Sequence, residues 1–224
     1  MMLIFAIFFQ IDSALYYLEQ GTYLQNINML FKAESLLLEE TEGVCNCTTY
    51  YYLSESSYRI LNYYYVAGKK ERAKEYLNKS IERVKKSIDI AVDYSDAHAL
   101  LGTLYGMKIV LDDNPLAGMI YGPKSKKELE KGVELDPDNP WAHLRLGIRY
   151  LHTPQKWGGD KQKALVEFLK AVELSPEVAE FYVWLGIAYK ENNNVNSAIR
   201  VMKKALEIEP SYKWAKMELK KIKE

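Results

Sequence analysis

Apolar positions in this chain recur at spacings of three and four, the period of helices that bury one face. The pattern is clearest over residues 140–212, where it is written twice. Leu146-Gly147, Tyr150, Ala164, Phe168, Ala171 and Pro176 return as Leu185-Gly186, Tyr189, Ala198, Met202, Ala205 and Pro210. Upstream, Leu24, Ile27, Leu30, Phe31, Leu37 and Leu38 predict a helix from about Tyr23 to Glu40, with Gly21 as the preceding turn. Tyr50 to Val66 predicts the next helix, Gly68 a turn, and Lys69 to about Val92 a longer helix. Ala97, Leu101-Gly102 and Tyr105 mark a helix over Ser95 to Lys108, and Leu129, Gly132 and Val133 mark its partner over about Lys124 to Leu135.

Punctuation between these segments has its own chemistry. Asn139 is placed to cap a helix whose first turn holds Pro140, where a missing N–H costs nothing. Asp160 is the expected cap of the following helix, and Ser175-Pro176 opens the next pair in the same way as Asn139-Pro140. Asn192 to Asn194 stands where glycine would make the last turn, since asparagine tolerates the left-handed conformation. The helix from Lys69 outruns its counterparts by seven residues, two turns, which keeps one face inward and predicts a projection beyond its neighbours. Residues 106–123, with Asp112-Asp113-Asn114-Pro115 and Gly118 to Pro123, predict a largely irregular insertion, and residues 151–160 a shorter one. Long insertions in compact domains are often functional.

Taken together, the spacing L-G-x2-Y, A-x3-F and a closing proline resembles the tetratricopeptide repeat (TPR), a helix pair of about 34 residues. The resemblance implies an all-α, right-handed α-solenoid of about five TPR-like antiparallel helix pairs with a C-terminal capping helix. Residues 14–224 are read as one superhelical domain, with repeats at about 7–40, 50–92, 95–139, 140–178 and 179–212 and a cap at 212–224. Small residues (Gly102, Gly147, Gly186, Ala164, Ala198) let paired helices approach closely, and Tyr105, Tyr150, Tyr189 and Phe168 fill the space between pairs. One pair cannot bury its own face, so pairs stack and the last one carries a polar outer surface.

Composition narrows the function class. The 224 residues are 48% hydrophobic and 27% charged, with thirty basic residues against thirty acidic ones. That balance argues against a nucleic-acid partner, which leaves a basic footprint. Ten of the eighteen tyrosines fall between Tyr16 and Tyr65, which concentrates aromatic packing near the N-terminus. Cys45 and Cys47 are too close to pair without strain and have no second Cys or His pair for zinc, so they are expected to be incidental thiols in a loop. The run MMLIFAIFF is too short to cross a membrane and has the length of a signal-peptide core. Residues 1–13 are therefore either an export signal, cut near Ser13, or the start of the first helix. An exported or periplasmic protein is the expectation, with a cytoplasmic one as alternative.

In the TPR family the first helix of each pair lines a concave binding face. Carried over, that face comprises Tyr58, Asn62, Tyr65, Ala99, Thr103, Met107, Trp141, Leu144, Ile148, Val183 and Ile187. Its apolar character fits a protein or peptide partner with an apolar surface, and Ala99, Leu144 and Val183 stand where a carboxylate clamp needs polar groups. The competing expectation is that N-terminal helices or a second copy fill the groove. His98 and His143 occupy equivalent places, which holds them about one helix pair apart, roughly 10 Å, and points to packing rather than metal binding. In the shorter insertion Trp157 is read as a packing anchor, with His152 and Trp157 as candidate partner contacts in the alternative, while His152 with Asp160 lacks the third group that catalysis needs. The order of TP, GGD and L-x-P marks is similar to exported bacterial TPR proteins, including TPR lipoproteins associated with TRAP-type transporters, although no lipobox cysteine follows the apolar start. The sequence thus predicts a non-catalytic scaffold without cofactor or metal. The alternative is a transport accessory holding a small hydrophobic ligand, and self-association is left open.

Overall fold

The computed structural model describes residues 2–41 and 46–223, with side chains described for residues 11–41 and 46–222. Among the described residues there are eleven α-helices and no strand. They are α1 (Met2–Tyr23), α2 (Ile27–Thr41), α3 (Cys47–Val66), α4 (Lys70–Ile90), α5 (Ser95–Leu111) and α6 (Ala117–Leu135). After them come α7 (Pro140–His152), α8 (Lys161–Leu174), α9 (Ala179–Glu191), α10 (Val195–Ile208) and α11 (Lys213–Lys223), with a short 3-10 turn at Gln155–Trp157 before α8. Each odd-numbered helix packs on the even-numbered helix after it, giving five pairs, and α11 covers the end of the last. Neighbouring pairs meet through α2–α3, α4–α5, α6–α7 and α8–α9, so the chain is a helical solenoid.

Glycines set how close the paired helices come. A Cβ on Gly102 would lie 2.6 Å from the Leu129 side chain and 2.9 Å from its backbone nitrogen. On Gly147 it would meet the Phe168 ring at 2.7 Å, and on Gly186 the Met202 methyl at 2.7 Å. Phe168 and Met202 are fully buried, so each glycine admits a core side chain that no other residue would allow so near. This close packing offsets the cost of about 1 kcal/mol that glycine brings to a helix interior.

Several boundaries differ from those the pattern predicts. Gly21 is not a turn; it lies inside α1, where its missing Cβ leaves room for Leu30, 2.7 Å from the Cβ position. The chain turns at residues 24–26, with Gln25 in the left-handed region (φ 48°), so Tyr23 ends α1 instead of opening α2. The backbone of the apolar N-terminal run is helical from Met2. Helix α3 starts at Cys47, three residues before the aromatic run, because Asn46 caps it by accepting from the Thr49 N–H at 2.8 Å. The expected loop position of Cys47 is therefore corrected to a first helical turn, and Cys45 falls outside the described residues.

Helix α4 does not project. The lengthened α3 runs beside it, Ser54 and Ser80 exchange hydrogen bonds at 2.8 and 2.9 Å, and Ser87 donates to the Cys47 carbonyl at 2.7 Å. The longer insertion is also mostly helix. Helix α5 continues to Leu111 and α6 begins at Ala117, leaving residues 112–116 as a tight connection. Asp112 accepts from Asn114 N–H at 3.0 Å and Asn114 from Leu116 N–H at 2.9 Å, which supplies the turn without glycine. Pro123 sits in the second turn of α6 on its exposed side, where the missing N–H breaks one backbone bond without ending the helix. Asn139, Asp160 and Asn194 cap α7, α8 and α10 through their side chains. Ser175-Pro176 does not act alike: α9 begins after Val178, with no side-chain cap.

Candidate interaction surface

Odd-numbered helices touch one another from pair to pair, α1–α3 through α9–α11, which puts them on the inside of the curve. That inner face is crossed by a charged network. Arg59 on α3 donates to Glu55 one turn earlier at 2.8 Å, and reaches across to Glu180 on α9 at 2.8 and 3.0 Å. Arg145 on α7 donates to the other Glu55 oxygen at 2.6 Å. Burial works to raise the Glu55 carboxyl, but Arg145 and Arg59 outweigh it and hold it below its ordinary value. Both guanidiniums lie against the rings of Tyr58 and Trp141, between 5.5 and 5.9 Å from the centroids, so the two aromatics serve as cation–π plates. Beside the network Tyr23 from α1 packs on Tyr212 at 4.7 Å, tying the first helix to the last repeat.

Of the residues expected to line the groove, those nearest the N-terminal ends of the odd helices are covered. Ala99 and Val183 are fully buried and Leu144 is 2% exposed. Ala99 faces its own partner helix, where Gly132 leaves room for it, and so is no groove residue. Leu144 and Val183 belong to the core shared by α7, α8 and α9. Tyr58 and Trp141 are half-buried beneath the arginines. Toward the C-terminal ends the face is more open: Asn62, Thr103, Met107, Ile148 and Ile187 are half-exposed and Tyr65 exposed. Glu55, Arg59, Arg145 and Glu180 were not legible as site residues, since charged residues at helical spacing read as a solvated face. Only the closure of α3 onto α7 and α9 brings them together.

The histidines are struts. His98 and His143 each place one ring nitrogen on the carbonyl six residues earlier (Val92 and Pro137, 2.9 and 2.8 Å) and the other on a glutamate of the partner helix (Glu128 and Glu167, both 2.6 Å). Tyr182 takes the same place in the next repeat and donates to the Pro176 carbonyl at 3.1 Å. The hydrogen bond that Glu167 accepts raises the His143 pKa above its ordinary value against a smaller opposing effect of burial. In the shorter insertion Trp157 is 61% exposed, while His152 stands edge-on to Trp184 at 5.8 Å. Asp160 is engaged by the Gln162 and Lys163 N–H groups at 2.9 and 3.1 Å, so its carboxylate is a helix cap. Among the described residues no cluster of metal-ligating side chains occurs and no helix is long and apolar enough to cross a membrane.

The family model described as tetratricopeptide repeat matches residues 179–212, which are α9, α10 and the chain up to Tyr212. Residues 179–212 are thus a tetratricopeptide repeat. The whole chain is similar to tetratricopeptide repeat protein 37 of Xenopus laevis, 29% identical over 142 residues, which are 62% of this chain and 9% of that protein. The chain spans less than a tenth of the length of the curated relatives it matches. Among solved structures, a thermophilic TPR protein of Thermus thermophilus aligns with a TM-score of 0.64 at 18% identity, covering 93% of this chain and 98% of the other. The HusA haemophore from Porphyromonas gingivalis aligns at 0.59 and 19% identity, covering 77% and 96%. At these identities the likeness is one of fold.

Proposed function

We propose that this protein is a non-catalytic scaffold that holds a protein or peptide segment along the open half of its inner face. The strip formed by Asn62, Tyr65, Thr103, Met107, Ile148 and Ile187 would carry the contact. The observation supporting this reading is the gradient along the odd helices: a sealed, charge-bridged floor at one end and a half-exposed, mainly apolar strip at the other. A rigid floor under an apolar strip suits an amphipathic helix or extended segment, whose anchors need preformed shallow pockets. A ligand-holding role in transport is less well supported, because Leu144 and Val183, which would wall a chamber, are already covered by the chain's own side chains. Leu144 is also too buried to serve as a probe. The test is native mass spectrometry of protein purified from its own cells, wild type against Met107→Asp with Ile148→Asp. The scaffold reading expects a co-purifying protein that the double variant loses. A stoichiometric small molecule retained in its place would contradict it.

A further inference from the structure

We infer that the edge of the solenoid carrying the hairpin turns docks on an anionic lipid surface, with apolar side chains at its tips entering the headgroup layer. Three successive turns, α3/α4, α5/α6 and α7/α8, lie along this edge, as antiparallel pairs stacked in order must place them. Each ends in a large apolar side chain left in solvent: Val66 at 74% exposure, Leu116 and Met119 at 54 and 67%, and Trp157 at 61%. Single exposed apolar side chains are ordinary, but here they recur at the ends of three successive hairpins, and tryptophan favours the boundary between water and lipid.

Charge says which surface. Exposed Lys69, Lys124, Lys126, Lys127 and Lys156 stand within a turn or two of these tips. Carboxylates at the second tip are partly answered from within, since Asp113 is bound by Lys70 and by Lys74, the latter at 2.9 Å, which holds its carboxyl down at about 2. The opposite edge, where one pair passes to the next, gathers exposed acids: Asp89, Asp93, Glu134, Asp136, Asp138 and Glu177. Ile90, Val92 and Leu135 are exposed there too, but among carboxylates that an anionic surface repels. Within an overall balance of thirty positive and thirty negative charges, these lysines and these acids therefore stand at opposite edges, although Glu71 and Asp112 are exposed among the former and Lys85 and Lys86 near the latter. Lysines flanking shallow apolar residues are the recognised means of holding a protein at an anionic leaflet, each basic group adding attraction that salt weakens.

The test is co-sedimentation of the full chain with phosphatidylcholine vesicles, with and without phosphatidylglycerol, at low and high salt. The inference expects binding to the anionic vesicles only, weakened by salt. Lys124→Ala with Lys127→Ala should lower partitioning roughly fivefold per lysine, and Met119→Asp with Ile120→Asp should abolish it. All four side chains are exposed, so an unchanged thermal melt is expected to accompany the loss. Three results overturn the inference: no binding to anionic vesicles, equal binding to neutral ones, or binding that the tip variants leave intact. If vesicles fail while the same variants lose an acidic peptide partner, the edge serves protein docking instead.

Discussion

Arg59 and Glu180, 121 residues apart in the chain, meet across the inner face at 2.8 Å with both side chains largely buried. Removing one member of such a pair strands the other charge away from water, which costs about 3 to 5 kcal/mol. Arg59→Met should therefore lower the chemical denaturation midpoint strongly. The paired change Arg59→Met with Glu180→Met should recover most of the loss, because neither charge is then stranded. Equal loss in the single and the double variant would show that the bridge is not what holds α3 against α9.

The glycines inside helices separate into two kinds. Gly102→Ala drives a methyl toward backbone as well as side chain, the Leu129 nitrogen at 2.9 Å and the Ser125 carbonyl at 2.9 Å, neither of which can step aside. It should destabilise by about 1 to 3 kcal/mol, the usual range for overpacking. Gly118→Ala, at a helical position with nothing within 4 Å of its Cβ site, should instead stabilise by about 0.4 to 1 kcal/mol through the unfolded chain. Thermal melts of the two variants should move in opposite directions.

His143 gives a pH dependence with a definite sign. Its pKa is raised in the folded chain, chiefly by the Glu167 hydrogen bond. The stabilisation is then complete below the ordinary histidine value of about 6.5 and is lost as pH rises through the higher folded value. The gap in stability between wild type and Glu167→Gln should accordingly shrink as pH rises above the ordinary histidine value of about 6.5. A constant gap over that range would mean that the pair does not titrate as the geometry implies.

The repeat was legible because its marks are local: Leu146-Gly147 and Ala164 in one pair recur as Leu185-Gly186 and Ala198 in another, and each reports packing within a single hairpin. Caps read equally well where a side chain does the capping, as at Asn139 and Asp160, and poorly where backbone does it, as at Val178. Gly21 misled because a glycine that admits a neighbour and a glycine that turns the chain look alike in sequence. The inner face was the least legible part. Register alone places Leu144 and Val183 on that face, but how tightly the superhelix closes decides whether they see solvent, and that depends on contacts such as Arg145 with Glu55, 90 residues apart.

The first helix is held to the far end of the chain by Tyr23 against Tyr212. In a double-mutant cycle with Tyr23→Leu and Tyr212→Leu, the coupling should be about 0.5 to 1.5 kcal/mol, the usual worth of an aromatic pair beyond its area. Additive effects within error would mean that α1 is not fastened to the last repeat through these rings.

The half-open strip of the inner face carries the proposed function, and one measurement addresses it directly. A photo-crosslinking amino acid placed at Ile148, half-exposed on that strip, should yield a covalent adduct with a protein partner in cells. The same group at Arg200, on the outer helix α10, should yield none. Adducts of equal yield from both positions, or from Arg200 alone, would contradict a partner bound along the inner face.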